Sequence, residues 1–331
     1  MQLLRKIAYP ISLLYALVVY VRNYCYDIGI LKSKQFKTPT VCIGNLSIGG
    51  TGKTPMIEWL LANIPKKRLA VLSRGYKRKS KGFIKVASTH TAKEVGDEPL
   101  QVYKKFRDSI IAVDAERRNG ISILEEEYAP EIILLDDAFQ HRKVHASVYF
   151  LLTSFNNLYM KDFYLPTGSL RDGKKEAKRA KLIIITKCPL DLDSATQTEI
   201  IKQVNPLPHQ TVLFCGFEYE QIVRGNKGNI QLSALKQKKV TLVTGIANAA
   251  PLCLYLESQG IMIEHLEFPD HHFFTKKELK EFEAKECVLT TEKDYTRMNR
   301  TTDNIFYLAV KHSFLNDGKR VVLKTIEELG N

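Results

Sequence analysis

The chain has 331 residues, 44% of them apolar and 26% charged, which suits about two globular domains and excludes a disordered, collagenous or polytopic membrane protein. Its six cysteines (25, 42, 188, 215, 253, 287) stand far apart, with no C-x-x-C pair and no Cys/His cluster, which argues against a disulfide scaffold or a zinc module. The net charge of +13 is concentrated: residues 1–93 hold 17 Lys/Arg against Asp27 and Glu58, and the rest carries 32 basic against 34 acidic residues. A basic face of that kind suits a phosphate-rich partner, whether nucleic acid, anionic membrane or phosphorylated substrate.

The first element is an apolar run from Ile7 to Val21, interrupted by Ser12 and the tyrosine hydroxyls, with Arg5 and Lys6 before it and Arg22 after it. It is short of the roughly 20 residues a bilayer crossing needs and contains Pro10. No small-residue cleavage site follows, so a signal peptide does not fit. Tyr9, Tyr15, Tyr20, Tyr24 and Tyr26 suit a headgroup interface, where a ring body meets apolar chains and its hydroxyl meets water. Residues 1–36 are therefore expected to form a helix lying in or against an anionic membrane surface. A buried helix of the fold is the competing reading.

From residue 37 onward, strand and helix signals alternate. Short apolar, β-branched runs appear at Thr40–Gly44, Leu69–Ser73, Ile110–Val113, Ile132–Asp136, Val148–Leu152 and Leu182–Thr186, with helix-length patterns between several of them. That alternation predicts a parallel sheet with helices on both faces. A polar stretch then leads to strands at Val212–Tyr219 and Val240–Gly245 around a turn at Gly225–Asn229. A second α/β unit follows, with helices at Asn248–Gln259 and Thr275–Ala284 and strands at Met262–Phe268 and Val288–Thr291. The expected division is 1–36 as the N-terminal segment, 37–207 as the first α/β domain, and 208–331 as a β-linker with a smaller α/β domain.

The strongest chemical signal is GNLSIGGTGKTP at 44–55, directly after the first strand and opening a helix. Its glycines let the backbone wrap a polyphosphate, and the helix N-terminus offers free N–H groups. Ser47, Ile48, Gly49, Gly50, Thr51, Gly52, Lys53 and Thr54 are the expected nucleotide-binding residues. Lys53 would reach the β/γ-phosphates and Thr54 would ligate Mg²⁺. Ser47 stands where the usual G-x-x-x-x-G-K-[ST] pattern has its first glycine. A metal-binding loop of this type needs a further carboxylate at a strand end. IILLDD at 132–137 supplies Asp136 for the metal and Asp137 beside it. Thr186-Lys187 is followed by Cys188 and Pro189, so the guanine-reading Asn/Thr-Lys-x-Asp motif is incomplete. Three polar clusters remain: Ser73-Arg74-Gly75-Tyr76, Gly96-Asp97-Glu98-Pro99 and Asp270-His271-His272. The first follows a strand, where such sheets build their sites. The histidines suit proton handling better than zinc binding.

In order along the chain, these motifs resemble the lipid A 4′-kinase (tetraacyldisaccharide 4′-kinase) family of Gram-negative bacteria. The resemblance rests on the N-terminal apolar helix, GNLSIGGTGKTP, LSRGYKR, VGDEP, LLDDAFQH, LPTGSLRDG, the Ile-Thr-Lys strand end at 185–187, VTGIANAAP, FPDHHFF and LTTEKDYTR. The family usually has Gly where Lys77 and Ala138 stand, and a Pro-Leu-Arg-Glu-Pro run where this chain has Ser169-Leu170-Arg171-Asp172-Gly173. The resemblance implies ATP- and Mg²⁺-dependent phosphorylation of the 4′-hydroxyl of a lipid disaccharide 1-phosphate at the cytoplasmic face of the inner membrane. It implies no nucleic-acid partner, and nucleotide held in a cleft between two α/β/α domains. Carried onto this sequence, it makes Asp97 and His271 a proposed base pair, with Asp97 expected to take the proton and His271 to orient it. Lys53 and Asp137 join them as catalytic candidates. Asp136, Asp137, Gln140 and His141 would line the metal and phosphate region, and Arg74, Glu98 and Arg171 the substrate side. The competing readings are a nucleic-acid-dependent ATPase, which leaves the apolar helix unexplained, and a deviant P-loop ATPase or metallochaperone, which often has Lys where Ile48 stands.

Overall fold

The computed structural model describes residues 8–65, 67–298 and 302–329. Arg5, Lys6 and Ile7, at the start of the expected N-terminal helix, lie outside the described residues. Among the described residues thirteen strands make one continuous sheet: β1 (Thr40–Gly44), β2 (Leu69–Ser73), β3 (Ile84–Lys85), β4 (Ile110–Val113), β5 (Ile132–Asp136), β6 (Val148–Ser154), β7 (Leu182–Thr186), β8 (Thr211–Gly225), β9 (Gly228–Gln231), β10 (Val240–Thr244), β11 (Ile263–Glu267), β12 (Cys287–Thr291) and β13 (Ile305–Phe314). Their spatial order is β11-β10-β12-β13-β8-β7-β6-β1-β5-β2-β4-β3, with β9 paired to β8. From β7 to β4 every pairing is parallel.

Alternation within the central strands sets the two faces. Val41, Ile43, Ile132, Leu134, Phe150 and Leu152 enter one apolar cluster; Cys42, Ile133, Leu135, Tyr149 and Leu151 enter the other. Because both sets are buried, these strands read as unbroken apolar runs, as parallel sheets covered on both faces do. Helices Lys53–Asn63 and Asp97–Lys105 cover the first face through Met56, Ile57, Leu60, Leu100 and Val102. Helices Arg117–Ile123 and Ser194–Val204 cover the second through Ile121, Ile200 and Val204.

The sheet continues through β8, whose start pairs with β7 in parallel and whose remainder pairs antiparallel with β13. Beyond β13, strands β12, β10 and β11 run parallel between helix Ala250–Ser258 and helix Lys276–Glu283, each with its own apolar cluster. Helix Gly318–Glu327 returns to the first core through Val322 and Ile326. The expected α/β class, with a second smaller α/β unit, is the observed one. Strand Val212–Tyr219 is longer than its apolar run suggested, extending to the hairpin at Gly225.

The N-terminal helix, Tyr9–Asp27, turns its polar stripe inward. Ser12 Oγ donates to Thr167 Oγ1 at 2.8 Å, Tyr15 Oη to the Arg171 carbonyl at 3.1 Å, and Asn23 Nδ2 to Asp172 Oδ1 at 2.7 Å. Leu13, Leu14, Leu17, Val18, Tyr20, Val21 and Tyr24 are left facing outward, each about half exposed or more. Among the described residues no helix is long and apolar enough to cross a membrane.

Candidate active site

The loop between β1 and helix Lys53–Asn63 is held from three sides. Gly49 (φ 115°) and Gly52 (φ 83°) take left-handed backbone, which glycine adopts without a Cβ penalty. Asn45 Nδ2 donates to Thr51 Oγ1 at 2.9 Å, Thr186 Oγ1 to the Thr51 carbonyl at 2.9 Å, and His312 Nε2 to the Gly52 carbonyl at 2.9 Å. The front of the loop is stitched to residues 162–171. Ser47 Oγ donates to Asp162 Oδ2 at 2.9 Å, and the Ile48 N–H donates to the Ser169 carbonyl at 2.7 Å. Those groups of Ser47 and Ile48 are engaged within the protein, and the loop then runs on through Gly49–Thr54. All six of these residues line a single cleft of ≈ 2070 Å³.

At the end of β5 the two aspartates are treated differently by their surroundings. Asp136 is buried, and its Oδ2 accepts from Ser73 Oγ at 2.9 Å. Burial first, then the nearby Glu98 and Asp137 carboxylates, push its pKa up to about 6. Its Oδ1 has no hydrogen-bond partner. Asp137, in left-handed backbone at φ 49°, accepts both Arg171 guanidinium Nη groups and faces Lys53 Nζ at 3.7 Å. Burial would raise its pKa, but Lys53 and Arg171 outweigh it and hold the carboxyl at about 2. An unpartnered, buried carboxylate oxygen in a pocket crowded with negative charge suits a hard cation. Asp136 and the hydroxyl of Thr54, which lines the same cleft, are donors of the type Mg²⁺ takes together with substrate phosphates. Among the described residues no group of three or more His, Cys, Asp and Glu could hold a metal by itself.

The remaining first-unit candidates flank this centre. Gln140 Nε2 donates to the Asn45 carbonyl at 2.7 Å, while its own carbonyl accepts from Arg22 of the N-terminal helix at 2.5 Å. His141 Nε2 lies 3.4 Å from Glu116 Oε1, and burial with the Arg117 charge holds the ring neutral, at about 4. Arg74 lines the cleft with its side chain exposed. Lys77, where the resembling family has glycine, sits at φ 58°. That conformation explains the glycine preference.

The second unit supplies the opposite wall. His271 Nδ1 donates to Asp97 Oδ2 at 3.0 Å, and Arg297 Nε donates to the same oxygen at 2.8 Å. Asp97 is 5% exposed, so burial would raise its pKa. The His271 hydrogen bond and the Lys293 and Arg297 charges outweigh that and hold the carboxyl well below the usual range. A carboxylate so held is a weak base. Lys293 bonds Glu98 Oε1 at 2.8 Å and approaches His271 Nε2 at 3.5 Å; the Tyr76 and His271 ring centres lie 5.4 Å apart. His272, by contrast, points to Glu278 at 3.1 Å and stacks on Phe268 within its own unit.

Arg117, Lys293 and Arg297 were not singled out from the sequence as site residues. Arg117 donates to the Asp114 and Asp136 carbonyls at 2.8 and 3.0 Å, and the other two brace Asp97 and Glu98. The signal for Arg117 is its place just past β4, at the carboxyl edge of the sheet where such folds bind ligands. For the other two it is LTTEKDYTR, whose chemistry only becomes visible once β12 is placed beside the cleft.

A glycine-rich loop between strand and helix, an adjacent strand ending in paired aspartates, and a cleft at the carboxyl edge of the sheet define a P-loop phosphotransferase. The chain matches the family model described as tetraacyldisaccharide-1-P 4′-kinase over residues 4–327. It is 44% identical over 323 residues to the tetraacyldisaccharide 4′-kinase of Flavobacterium johnsoniae, covering 96% of this chain and 94% of that protein. Its identity to the protein of the same name from Bacteroides thetaiotaomicron is 39%, over 89% of this chain and 83% of that one. The solved structure of LpxK from Aquifex aeolicus in complex with ATP superposes with a TM-score of 0.81 at 30% identity, over 99% of this chain and 100% of that one. The chain belongs to the tetraacyldisaccharide-1-P 4′-kinase family, the kinases of lipid A biosynthesis.

Proposed function

We propose that the cleft transfers the γ-phosphate of ATP to the 4′-hydroxyl of tetraacyldisaccharide 1-phosphate in the following way. Gly49–Thr54 hold the phosphate chain, with Lys53 leaving Asp137 to meet it. Thr54 and Asp136 would hold Mg²⁺, which supplies neutralisation of the charge on the β/γ-phosphates. Arg171 keeps Asp137 anionic and fixed, and Gln140 ties the loop at Asn45 to the N-terminal helix at Arg22. The acceptor oxygen forms its bond to γ-phosphorus as the bond to the β-bridging oxygen breaks, and ADP leaves. The acceptor's proton passes to His271 Nε2, while Asp97 holds Nδ1–H and stabilises the charge that develops on the ring. That reverses the roles expected from the sequence, because Asp97 is committed to Arg297 and His271 and its pKa is depressed.

One observation carries this reading. The phosphate loop, the paired aspartates and the Asp97–His271 pair line one cleft whose rim includes Tyr15, Val19, Arg22 and Tyr26 of the N-terminal helix. A lipid headgroup entering beside that helix would meet both reacting ends. The outward apolar face would rest on the cytoplasmic surface of the inner membrane, with the basic N-terminal region facing anionic lipid. Residues 37–207 and 208–331 then act as the two walls of the cleft, with helix Gly318–Glu327 packed back onto the first. The test is ADP release by the purified protein with ATP and Mg²⁺ and, in turn, DNA, RNA or detergent-dispersed lipid acceptor. Transfer of labelled γ-phosphate to the lipid is expected. Stimulation by nucleic acid without lipid phosphorylation would overturn it.

A further inference from the structure

Lys187 follows β7 directly and lies among the residues that line the cleft. It sits in left-handed backbone at φ 59°, a conformation a residue with a Cβ adopts only against a penalty and one that concentrates at functional sites. The preceding Thr186 is the residue whose hydroxyl holds the Thr51 carbonyl at 2.9 Å. Left-handed backbone at the next position carries the lysine over the same loop: a Cβ placed on Gly50 would lie 3.8 Å from Lys187 Nζ. Sequence and fold thus deliver a threonine to fix the phosphate loop and a lysine beside it.

The ammonium is unpaired. Lys53 faces Asp137, Lys293 bonds Glu98, and Lys105 bonds Glu58. Among the described residues Lys187 has neither a carboxylate nor a hydrogen-bond partner, only the Phe217 ring centre at 6.0 Å. The Lys187 charge also reaches His312, which is buried and held neutral. Enclosure without a counter-charge pulls the Lys187 pKa below the ordinary lysine value. A desolvated cation left without an anion in the folded chain is the chemical complement of an anionic ligand.

We propose that Lys187 is a second cationic contact for the phosphate chain of the nucleotide, reaching it from the end of β7 while Lys53 reaches it from the loop itself. This rests on the reading that the nucleotide's phosphates occupy the Gly49–Thr54 loop. The completed Thr-Lys-x-Asp motif would carry an aspartate two residues on to read a base, and this chain has Pro189 there. The lysine therefore serves the phosphates without a base-reading partner. Because Gly50 lies toward the middle of the loop and not at its lysine end, the contact belongs to phosphates that do not move. It should act equally in ground and transition states and appear in KM.

Lys187→Met keeps the alkyl stem and removes the charge, Lys187→Ala removes both, and Lys187→Gln repeats the charge loss with a polar end. The expected result is a rise of about tenfold or more in KM for ATP in the Met and Gln variants, in line with loss of a charged hydrogen bond. kcat should stay within about threefold, the Ala variant should be no worse than Met, and Lys187→Arg should recover part of the loss. Inhibition by inorganic tripolyphosphate should weaken in parallel, whereas inhibition by adenosine should not change. The inference is overturned if the Met and Gln variants bind ATP normally. It is equally overturned if adenosine loses as much as tripolyphosphate, or if Ala alone is damaging, since the stem would then be packing on the base. Lys53→Ala separates the two levels: normal turnover there removes the phosphate-loop reading itself, while its loss beside a normal Lys187→Met removes only this inference.

Discussion

His271 donates from Nδ1 to Asp97 Oδ2 at 3.0 Å across 174 residues of chain, and this bond joins the two walls of the cleft. Arg297, on the His271 side, grips the same oxygen at 2.8 Å. The pair therefore latches the two walls together, and on the proposed mechanism it is also the chemical unit. A sugar hydroxyl is a poor nucleophile at neutral pH, and the loose phosphoryl-transfer transition state leaves a base to add a moderate share, typically about 10²–10⁴-fold.

Asp97→Ala and His271→Ala are each expected to lower kcat by about 10²-fold or more, with far smaller changes in KM for ATP. Since one acts through the other, the double variant should be little worse than the poorer single one. Steady-state kinetics with saturating lipid acceptor decide it, and multiplicative losses would mean independent roles. His272 is the control. Its ring is tied to Glu278 and Phe268, so its substitution should leave kcat within a few-fold.

Lys53→Ala should abolish turnover with no loss of fold. Its side chain faces Asp137 at 3.7 Å in the cleft and belongs to neither apolar cluster of the first unit. Thr54→Ala should lower activity in a way that rising Mg²⁺ partly restores, because the Asp136 oxygen without a hydrogen-bond partner would remain as a donor. Far-ultraviolet circular dichroism alongside an Mg²⁺ titration of rate tests both. A Thr54 variant indifferent to Mg²⁺ would count against its role as a ligand.

The outward face of helix Tyr9–Asp27 makes a third prediction. Leu14, Leu17 and Val18 are 56–63% exposed, and replacing all three with Ser should move the protein toward the soluble fraction while leaving the inward contacts of Ser12, Tyr15 and Asn23 in place. Salt should release the wild-type protein only partly, because apolar burial is not screened whereas attraction to lipid phosphate is. Sedimentation with vesicles of anionic and of neutral lipid, at low and high salt, separates the two contributions. Wild-type protein that stays soluble with both kinds of vesicle at low salt would refute the membrane reading.

Much of this was legible because parallel strands announce themselves. β1, β2, β4, β5 and β7 fall within the apolar runs read from the sequence, since burial on both faces leaves no alternation to misread. β13 was missed: Lys311 and His312 interrupt its apolar character, although His312 is fully enclosed and only Lys311 faces solvent. The inward polar stripe of the N-terminal helix was equally hidden. An outward apolar face agrees with the expected surface helix, but only Asp172 and Thr167, some 150 residues away, reveal what Ser12 and Asn23 bond. Local pattern gave the phosphate loop and Asp136. The partners of Asp97 depend on bringing β12 and the helix after it against the first unit, which no local pattern encodes.

The last prediction concerns His312, whose ring is 2% exposed yet touches the phosphate loop. Nε2–H donates to the Gly52 carbonyl at 2.9 Å, Nδ1 faces Cys215 Sγ at 3.2 Å, and the Phe217 ring centre lies 4.9 Å away. Burial, reinforced by Lys187, lowers the pKa from 6.5 to about 4. In the unfolded chain the ring protonates near 6.5, so as pH falls from there toward 4 the unfolded state takes up a proton that the native state refuses. Native stability from this residue is thus full above about 6.5 and lost progressively down to about 4, with a limiting slope of roughly 1.4 kcal/mol per pH unit. His312→Gln keeps an N–H for Gly52 and does not titrate. Its chemical-denaturation midpoint should lie below that of the wild type at pH 7.5, and the gap should narrow steadily between pH 6.5 and 4.5. Other groups with shifted pKa values, such as Asp136, cancel in the comparison because both proteins share them. Parallel midpoints across that range would show that His312 is protonated as readily in the native state as in the unfolded chain, contrary to its enclosure.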